Sequence, residues 1–563
     1  MRQPRQKDLT DFLLLDFQSK KIAFRVIKRE TPNYKSYAMP ENCWVLTIQP
    51  WFQFMDRPQR RRFLHQSAGL ACALPALVPT LAYSEESNSG TGPKAEHPHG
   101  IVGQANGQTM ALVNFSSNLQ FDQIPKAVID RAKDTLADTL ASAIFGSTLP
   151  WSQIIASYCQ DIGKLGKSQV LGLQNVRYEP SSAALANGAF THAFELDNLT
   201  KPNSGSHPGA TVFIPLLALA QARGCTGKEL LTAFVAGTEV MIRIGLSTMH
   251  SQEEHGFHAP GTTGPFGSAA GCARLMGLDE NLTANAMGLA ASCAGGLLEF
   301  AMAGNGAMVK RLHMGRAAQA GILSSSLAQK GFTGPHSALE GRFGFLNVFC
   351  PEHDFVRLTS NLGSEWLTLT TMHKRYACHI TAHTPVESAQ ALKTDFGFKG
   401  EDIEELTIEC NERSMRANNI PAPKDILLGQ YSIPFCVALS MYRNPVDPRS
   451  FNDSALLDER IMKLCANTVM KLIPPPDNRS DMTSVVHIKL KNGQELTKRS
   501  SAFLGTPERP LDKNALREKF LLLSVSDSPS DSKSIEKRKN KMNHWFDRIQ
   551  NLENENNLHW IDA

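Results

Sequence analysis

"EHGFHAPGTTGPFGSAAG", Glu254 to Gly271, sets two histidines, two prolines and five glycines ahead of the small-residue text "CARLMGL". A Gly/Pro-rich loop running straight into Ala-rich text predicts a loop-to-helix junction in a domain whose helices pack closely. Free backbone N–H groups and the positive end of the helix dipole make such a junction attractive to an anion. Three chemistries compete for its histidines: a metal, a phosphate, or a carboxylate with an imidazole beside it.

Working outward, the same character recurs. In "IPKAVIDRAKDTLADTLASAIFG" the apolar residues Ile124, Val128, Leu136, Leu140 and Ile144 return at near-helical spacing. "TGKELLTAFVAGTEVMIRIG" opens with Thr226 and Glu229 in capping-box relation and predicts a helix to Gly245. Further helices are expected over Val212–Ala222, Asn281–Phe300 and Lys310–Gln329. Glu299, Asn305 and Lys310 interrupt the apolar run "MGLAASCAGGLLEFAMAG", so no stable membrane span is expected there.

After residue 370 the pattern changes. Thr384, Pro385 and Glu387 predict a helix start, "EELTIEC" alternates as a strand, and "VVHIKLKNGQELTKR" alternates on both sides of Asn492-Gly493, a hairpin signal. A helix resumes at Asp512–Phe520, and "SDSPSDSKSIEKRKNKMN" reads as a loose polar tail before a last amphipathic stretch. The fold class expected is mainly α: a large all-helical domain with an inserted, smaller α+β lid.

The chain has 563 residues, 42% hydrophobic and 20% charged, with a net charge of +4. That length predicts several domains, and the scattered basic residues give no footprint for nucleic acid. None of the eleven cysteines falls in CxxC spacing, and neither GxGxxG nor GxxxxGK[ST] occurs, so zinc ribbons and nucleotide cofactors gain no support.

Met55–Tyr83, "MDRPQRRRFLHQSAGLACALPALVPTLAY", has a basic start, an apolar stretch and a small-residue end, and "RRRFL" resembles a twin-arginine export signal. The expectation is that Met55 is the true start, that residues 1–54 are an upstream extension outside the mature protein, and that residues 84–108 form a flexible linker. The mature protein is then periplasmic or otherwise exported; without that start it is cytoplasmic. The remaining boundaries are a helical domain at 109–369, the lid at 370–508, and at 509–563 a returning helix with a polar tail.

Polar residues cluster at four places. One is His192, Glu195 and Asp197 with the following loop to His207-Pro208. The others are His255 with His258, Lys310 with His313, and the group His373, Lys374, Tyr376, His379 and His383. Imidazoles titrating near neutrality beside lysines suit proton abstraction next to a carboxylate. A metal is the rival reading, but His379 and His383 are the sole i, i+4 histidine pair in these clusters and no third ligand completes a zinc pattern. No metal is expected.

At these residues the chain resembles the MmgE/PrpD family, which includes 2-methylcitrate dehydratase, cis-aconitate decarboxylase and an iminodisuccinate epimerase. The likeness runs from about Asn114 to Phe520 through "ALANGAFTHAFELDN", "HPGATVFIPLLALA", "GFHAPGTTGPFGSAAGCARLMGL", "VKRLHMGRAAQAGILSSSLAQKGFTGP", "LEGRFGFLNVF" and "KRYACHITAHTPVESA". It implies the helical domain with its lid, a homodimer, and a small carboxylic acid handled without metal or organic cofactor. Carried over residue by residue, it implies His207, His258, His379 and Asp197 as catalytic groups and Lys310, Lys374, Glu195 and His313 as substrate-binding ones. Helix-start amides near His207 and Gly261–Gly264 are expected to help hold the substrate.

Three positions depart from the family. Glu195 stands where the decarboxylases and methylcitrate-type members have aspartate, Asn198 where they have a second acidic residue, and Phe435 where the decarboxylase has tyrosine. The activity implied is a hydro-lyase of the 2-methylcitrate dehydratase type. An epimerase of an acidic amino-acid derivative, a decarboxylase of a cis-aconitate-like acid and a non-catalytic carboxylate-binding protein are the alternatives.

Overall fold

The computed structural model describes strands β1 (Phe12–Phe17) and β2 (Lys20–Arg25) and residues 107–202, 204–303, 307–474, 482–525 and 532–562. The export-signal reading at Met55–Tyr83 and most of the linker lie outside the described residues. Two units are distinguished, residues 1–98 and 99–563; in the first, β1 and β2 pair antiparallel with Phe12 opposite Arg25.

The second unit is mainly α. Its first helices are α1 (Gln108–Asn118), α2 (Lys126–Ser147), α3 (Pro150–Ile162) and α4 (Pro180–Thr191). Then follow α5 (Ile214–Arg223), α6 (Gly227–Ser247), α7 (Ala259–Leu275), α8 (Glu280–Ala291) and α9 (Val309–Gln329). The Thr226–Glu229 capping box forms as predicted. The small residues act where helices meet: a Cβ on Gly237 of α6 would lie 2.5 Å from Gly267 O of α7, and one on Gly188 of α4 3.0 Å from Gly315 Cα of α9. Backbones that close leave room only for glycine.

Two expected helices change shape. Val212–Ala222 is preceded by a π-helical turn, Gly209–Phe213, before α5 begins. The run expected over Asn281–Phe300 stops at Ala291, and the loop beyond turns toward α7. Pro265 explains the docking of that loop. Without an N–H it leaves the carbonyl of Gly261 free, and Gly295 N donates to that oxygen at 3.1 Å. One helix among the described residues, α6, is long and apolar enough to cross a membrane, and it is buried against α7.

Beyond residue 370 the chain carries α10 (His383–Phe396), α11 (Ile433–Tyr442) and α12 (Glu459–Asn467) with a sheet of β7 (Ile403–Cys410), β8 (Val469–Leu472), β9 (Ser484–Leu490) and β10 (Glu495–Ser500). Its order is β10-β9-β7-β8, with β7 antiparallel to β9 and parallel to β8. Gly493, φ +85°, makes the predicted hairpin turn. Two short pairings sit elsewhere: β3 (Leu165–Gln169) with β4 (Arg177–Tyr178), and β5 (Leu199–Thr200) with β6 (Thr371–Met372). One apolar core is continuous from Leu136 and Phe213 to Phe435 and Ile408, so the α+β segment shares the core of the helical body.

The helix start expected at Thr384–Glu387 is corrected. The helix begins at His383; Thr384 Oγ1 donates to Met482 O and the Glu387 carboxylate accepts from Leu504 N, so both tie down the sheet segment. The polar tail is corrected too. After α13 (Lys513–Val525), Ser532–Gln550 forms helix α14, whose Met542, Trp545, Phe546 and Ile549 are buried. Its apolar stripe at i, i+3, i+4, i+7 was hidden behind six lysines and arginines in the same segment.

Candidate active site

Helix α4 ends at Thr191, and the chain turns so that Glu195 takes φ +57°, a region side-chain-bearing residues rarely occupy. The turn drives its carboxylate into the core, 1% exposed, between two lysines. Lys310, at the start of α9, donates to Oε1; Lys374, which follows β6, donates to Oε2 at 2.8 Å. The β5–β6 pairing carries the Lys374 segment to the acidic loop. Both lysines are as buried as their partner.

The pair of ion bonds overcomes burial at the carboxylate, and the two lysines together hold Glu195 well below its usual range. Burial brings Lys310 down to about 8, with Lys374 and Arg311 nearby adding to the effect. Lys374 moves up despite burial, because it faces Asp197 as well as Glu195.

Asp197 joins two imidazoles. It accepts from His192 Nδ1 at 2.9 Å and from His207 Nδ1 at 2.8 Å, with the rings edge-on and 4.8 Å apart. A carboxylate accepts only, so each Nδ1 carries the proton and each Nε2 is left with its lone pair. By composition His192, Asp197 and His207 resemble a metal-ligand set, their donor atoms lying within 4.8 Å of one another. The separations of 2.9 and 2.8 Å between each Nδ1 and the carboxylate are hydrogen-bond distances.

Asn198 fixes the His207 loop. Its Oδ1 accepts from Gly209 N at 2.9 Å, and its amide donates to Asp138 and Thr139. The expectation that amides near His207 stay free for substrate is therefore corrected at Gly209. Gly261 is corrected likewise: its N–H donates to His258 O, and a Cβ there would lie 2.3 Å from Gly295 O. Gly264 packs against Ala317 of α9. Gly261, Gly264, Gly267 and Gly271 serve helix and loop packing, and Gly256 takes a left-handed turn at φ +97°.

His258 is the N-cap residue of α7, and its Nδ1 lies 3.0 Å from Nδ1 of His313 on α9, one donating to the other. Phe300 closes on His258 edge-on, at 5.2 Å between centroids. Burial, then the charge of Lys310, keeps His258 well below its usual value and His313 down at about 4. His379 caps a 3₁₀ turn, its Nδ1 2.9 Å from Thr381 Oγ1 and its ring 4.9 Å from that of Tyr431.

All eight sequence-predicted residues thus fall in one neighbourhood built from four chain segments, and three more belong with them. His192 was visible in the first cluster but lacked an assigned role. Tyr431 sits under Lys310, 4.9 Å from ring centroid to Nζ, and nothing in its local sequence signals this. Arg311, 2% exposed, donates to Ala193 O. Phe435, by contrast, lies in the apolar core against Gly429. His383, half of the expected i, i+4 pair, is structural: its Nε2 accepts from the amides of Arg375 and Tyr376.

The buried imidazoles make acid stability predictable. Burial lowers His192 to about 3 and His373 to about 4, and burial together with the charge of Lys310 holds His258 well below its usual value. These groups are neutral in the fold and protonate near 6.5 when unfolded, so their contribution is complete above that pH and is lost as pH falls toward 3 to 4. Each removes about 1.4 kcal/mol at one unit below 6.5, about 4 kcal/mol for the three. Chemical denaturation at pH 7.5 and 5.5 should register that loss, and His373→Phe should flatten the slope; equal midpoints at the two pH values would refute it.

Fold and site define a mainly helical protein with a buried acid–base cluster beside paired lysines. The MmgE/PrpD N-terminal domain matches residues 110–358 and the MmgE/PrpD C-terminal domain residues 376–542, and the chain belongs to the MmgE/PrpD family. It is 32% identical over 305 residues to a cis-aconitate decarboxylase-like protein of Aspergillus oryzae, covering 51% of this chain and 62% of that one. Cis-aconitate decarboxylases of Aspergillus terreus and Homo sapiens are 28% and 26% identical, over 75% and 73% of this chain and 90% and 86% of theirs.

Proposed function

We propose that the protein is a lyase of a small tricarboxylic acid, working by proton transfer at a carbon next to a carboxylate. The observation that carries this is the Asp197-bound pair His192 and His207 lying beside the Lys310–Glu195–Lys374 group. His207 Nε2, its tautomer fixed through Nδ1, is the nitrogen that takes or returns the proton. The lysines hold carboxylate and the negative charge that develops on it.

The names of the relatives favour a cis-aconitate-like substrate and decarboxylation, in which the bond to the departing carboxylate breaks and its electron pair is quenched by a proton on carbon. Dehydration is the second reading. It is favoured by the neutral imidazoles, which are bases as they stand: His258 or His379 takes the proton from carbon and, once charged, returns it to the leaving hydroxyl, which departs as water.

Proton NMR in D₂O with cis-aconitate and 2-methylcitrate tests both. Loss of a carbon with deuterium incorporation supports decarboxylation; a new alkene from 2-methylcitrate supports dehydration. His258→Ala should abolish either with the fold intact. Exchange at Cα without a new skeleton would move the assignment to an epimerase, and silence with both acids would overturn the reading.

A further inference from the structure

Before any substrate arrives the cluster is already balanced: Lys310 and Lys374 are matched by Glu195 and Asp197, with Arg311 the one cation over. A tricarboxylate carried into these buried surroundings brings negative charge for which no free lysine remains. Burying charge without a partner is prohibitive, so a resident anion must be neutralised or protons must come in with the ligand.

The structure contains an acceptor suited to the first route. Nε2 of His192 is fully buried and has no hydrogen-bond partner. It lies 3.8 Å from Glu195 Oε1, too far for a hydrogen bond. Its tautomer is fixed by Asp197 at Nδ1, so what faces Glu195 is a lone pair opposite a carboxylate. A single proton on Glu195, with a turn of its side chain that closes the 3.8 Å gap, converts that opposition into an O–H···N hydrogen bond, satisfies the orphaned nitrogen and releases both lysines.

Resting on the tricarboxylate reading, we infer that Glu195 is a specificity-determining residue that keeps the place of a substrate carboxylate, and that on binding it takes a proton from solvent and donates it in a hydrogen bond to His192 Nε2. No covalent bond changes; the proton returns when product leaves. His192 is the positioning residue for this exchange. The other groups facing the pair are Asp197 and His207 from the acidic loop and its continuation, Lys310 and Arg311 from the start of α9, His258 from the start of α7, Lys374 with His379 from the segment after β6, and Tyr431 ahead of α11. The imidazoles among them offer no competing orphan, since His192 Nε2 is the one histidine nitrogen of this cluster buried without a partner among the described residues.

The test is calorimetric titration of the full chain with tricarballylate, a saturated tricarboxylate with no bond to break, in phosphate and in Tris at pH 7. The two buffers differ in ionisation heat, so the difference in observed enthalpy counts protons. Wild type should take up about one proton per chain and bind about tenfold more weakly for each unit rise in pH. Glu195→Gln, already neutral, should bind with that uptake gone; His192→Phe should bind more weakly and lose the pH dependence. Binding by wild type without proton uptake, or unchanged uptake in Glu195→Gln, would overturn the exchange and leave the tricarboxylate reading standing. Failure of wild type both to bind tricarballylate and to turn over cis-aconitate would overturn that reading and this inference with it.

Discussion

Asp197→Asn should lower turnover of the tricarboxylate by about 10³- to 10⁴-fold while leaving the fold in place. The aspartate accepts a hydrogen bond from each of two imidazoles, and it is fully buried. An asparagine offers one carbonyl oxygen and, on its other side, an NH₂. One of His192 and His207 must then turn its Nδ1 lone pair to that NH₂ and carry its proton at Nε2, where it no longer serves as a base. Single-turnover rates measure the loss, and nitrogen-15 shifts of the histidine rings report the tautomer. A variant with less than tenfold loss would mean that the dyad orients nothing in the reaction and that the His258–His313 pair carries the proton instead.

That prediction depends on a geometry the amino-acid sequence revealed only in part. His207, His258, Lys310 and His379 were legible because each sits where polar text breaks a run of small residues, and each does stand at or beside a helix start. What those starts do was not legible. The amides of Gly209 and Gly261 look free in a linear reading, and only the fold brings Asn198 to one and turns the other back on His258. The helices of the body were readable from their periodicity and caps. The early stop at Ala291 was not; the loop beyond it docks where Pro265, about thirty residues back in the chain, leaves the Gly261 carbonyl free for Gly295. Tyr431 was out of reach for a related reason: its neighbours Lys310 and His379 are over a hundred and about fifty residues away, and no spacing rule connects them. The hairpin at Asn492-Gly493, whose signal is local, was read correctly down to its glycine.

Lys374→Met should destabilise the protein by about 3 kcal/mol, and Glu195→Gln added to it should restore a large part of that loss. Lys374 is 2% exposed and its ammonium lies 2.8 Å from the Glu195 carboxylate, itself 1% exposed. Two charges taken out of water are tolerated because each solvates the other; removing one leaves the remaining charge with the desolvation penalty and half its compensation. Lys310 still pairs with Glu195 in the single variant, which holds the loss toward the low end of the range for a broken buried pair. The double variant removes the stranded charge as well as its partner, so a denaturation cycle should give a coupling of at least about 1 kcal/mol between the two positions. Strictly additive losses would mean that Glu195 is held by its backbone turn and Lys374 by the packing of its stem. The carboxylate would then not need its lysines in order to stay buried.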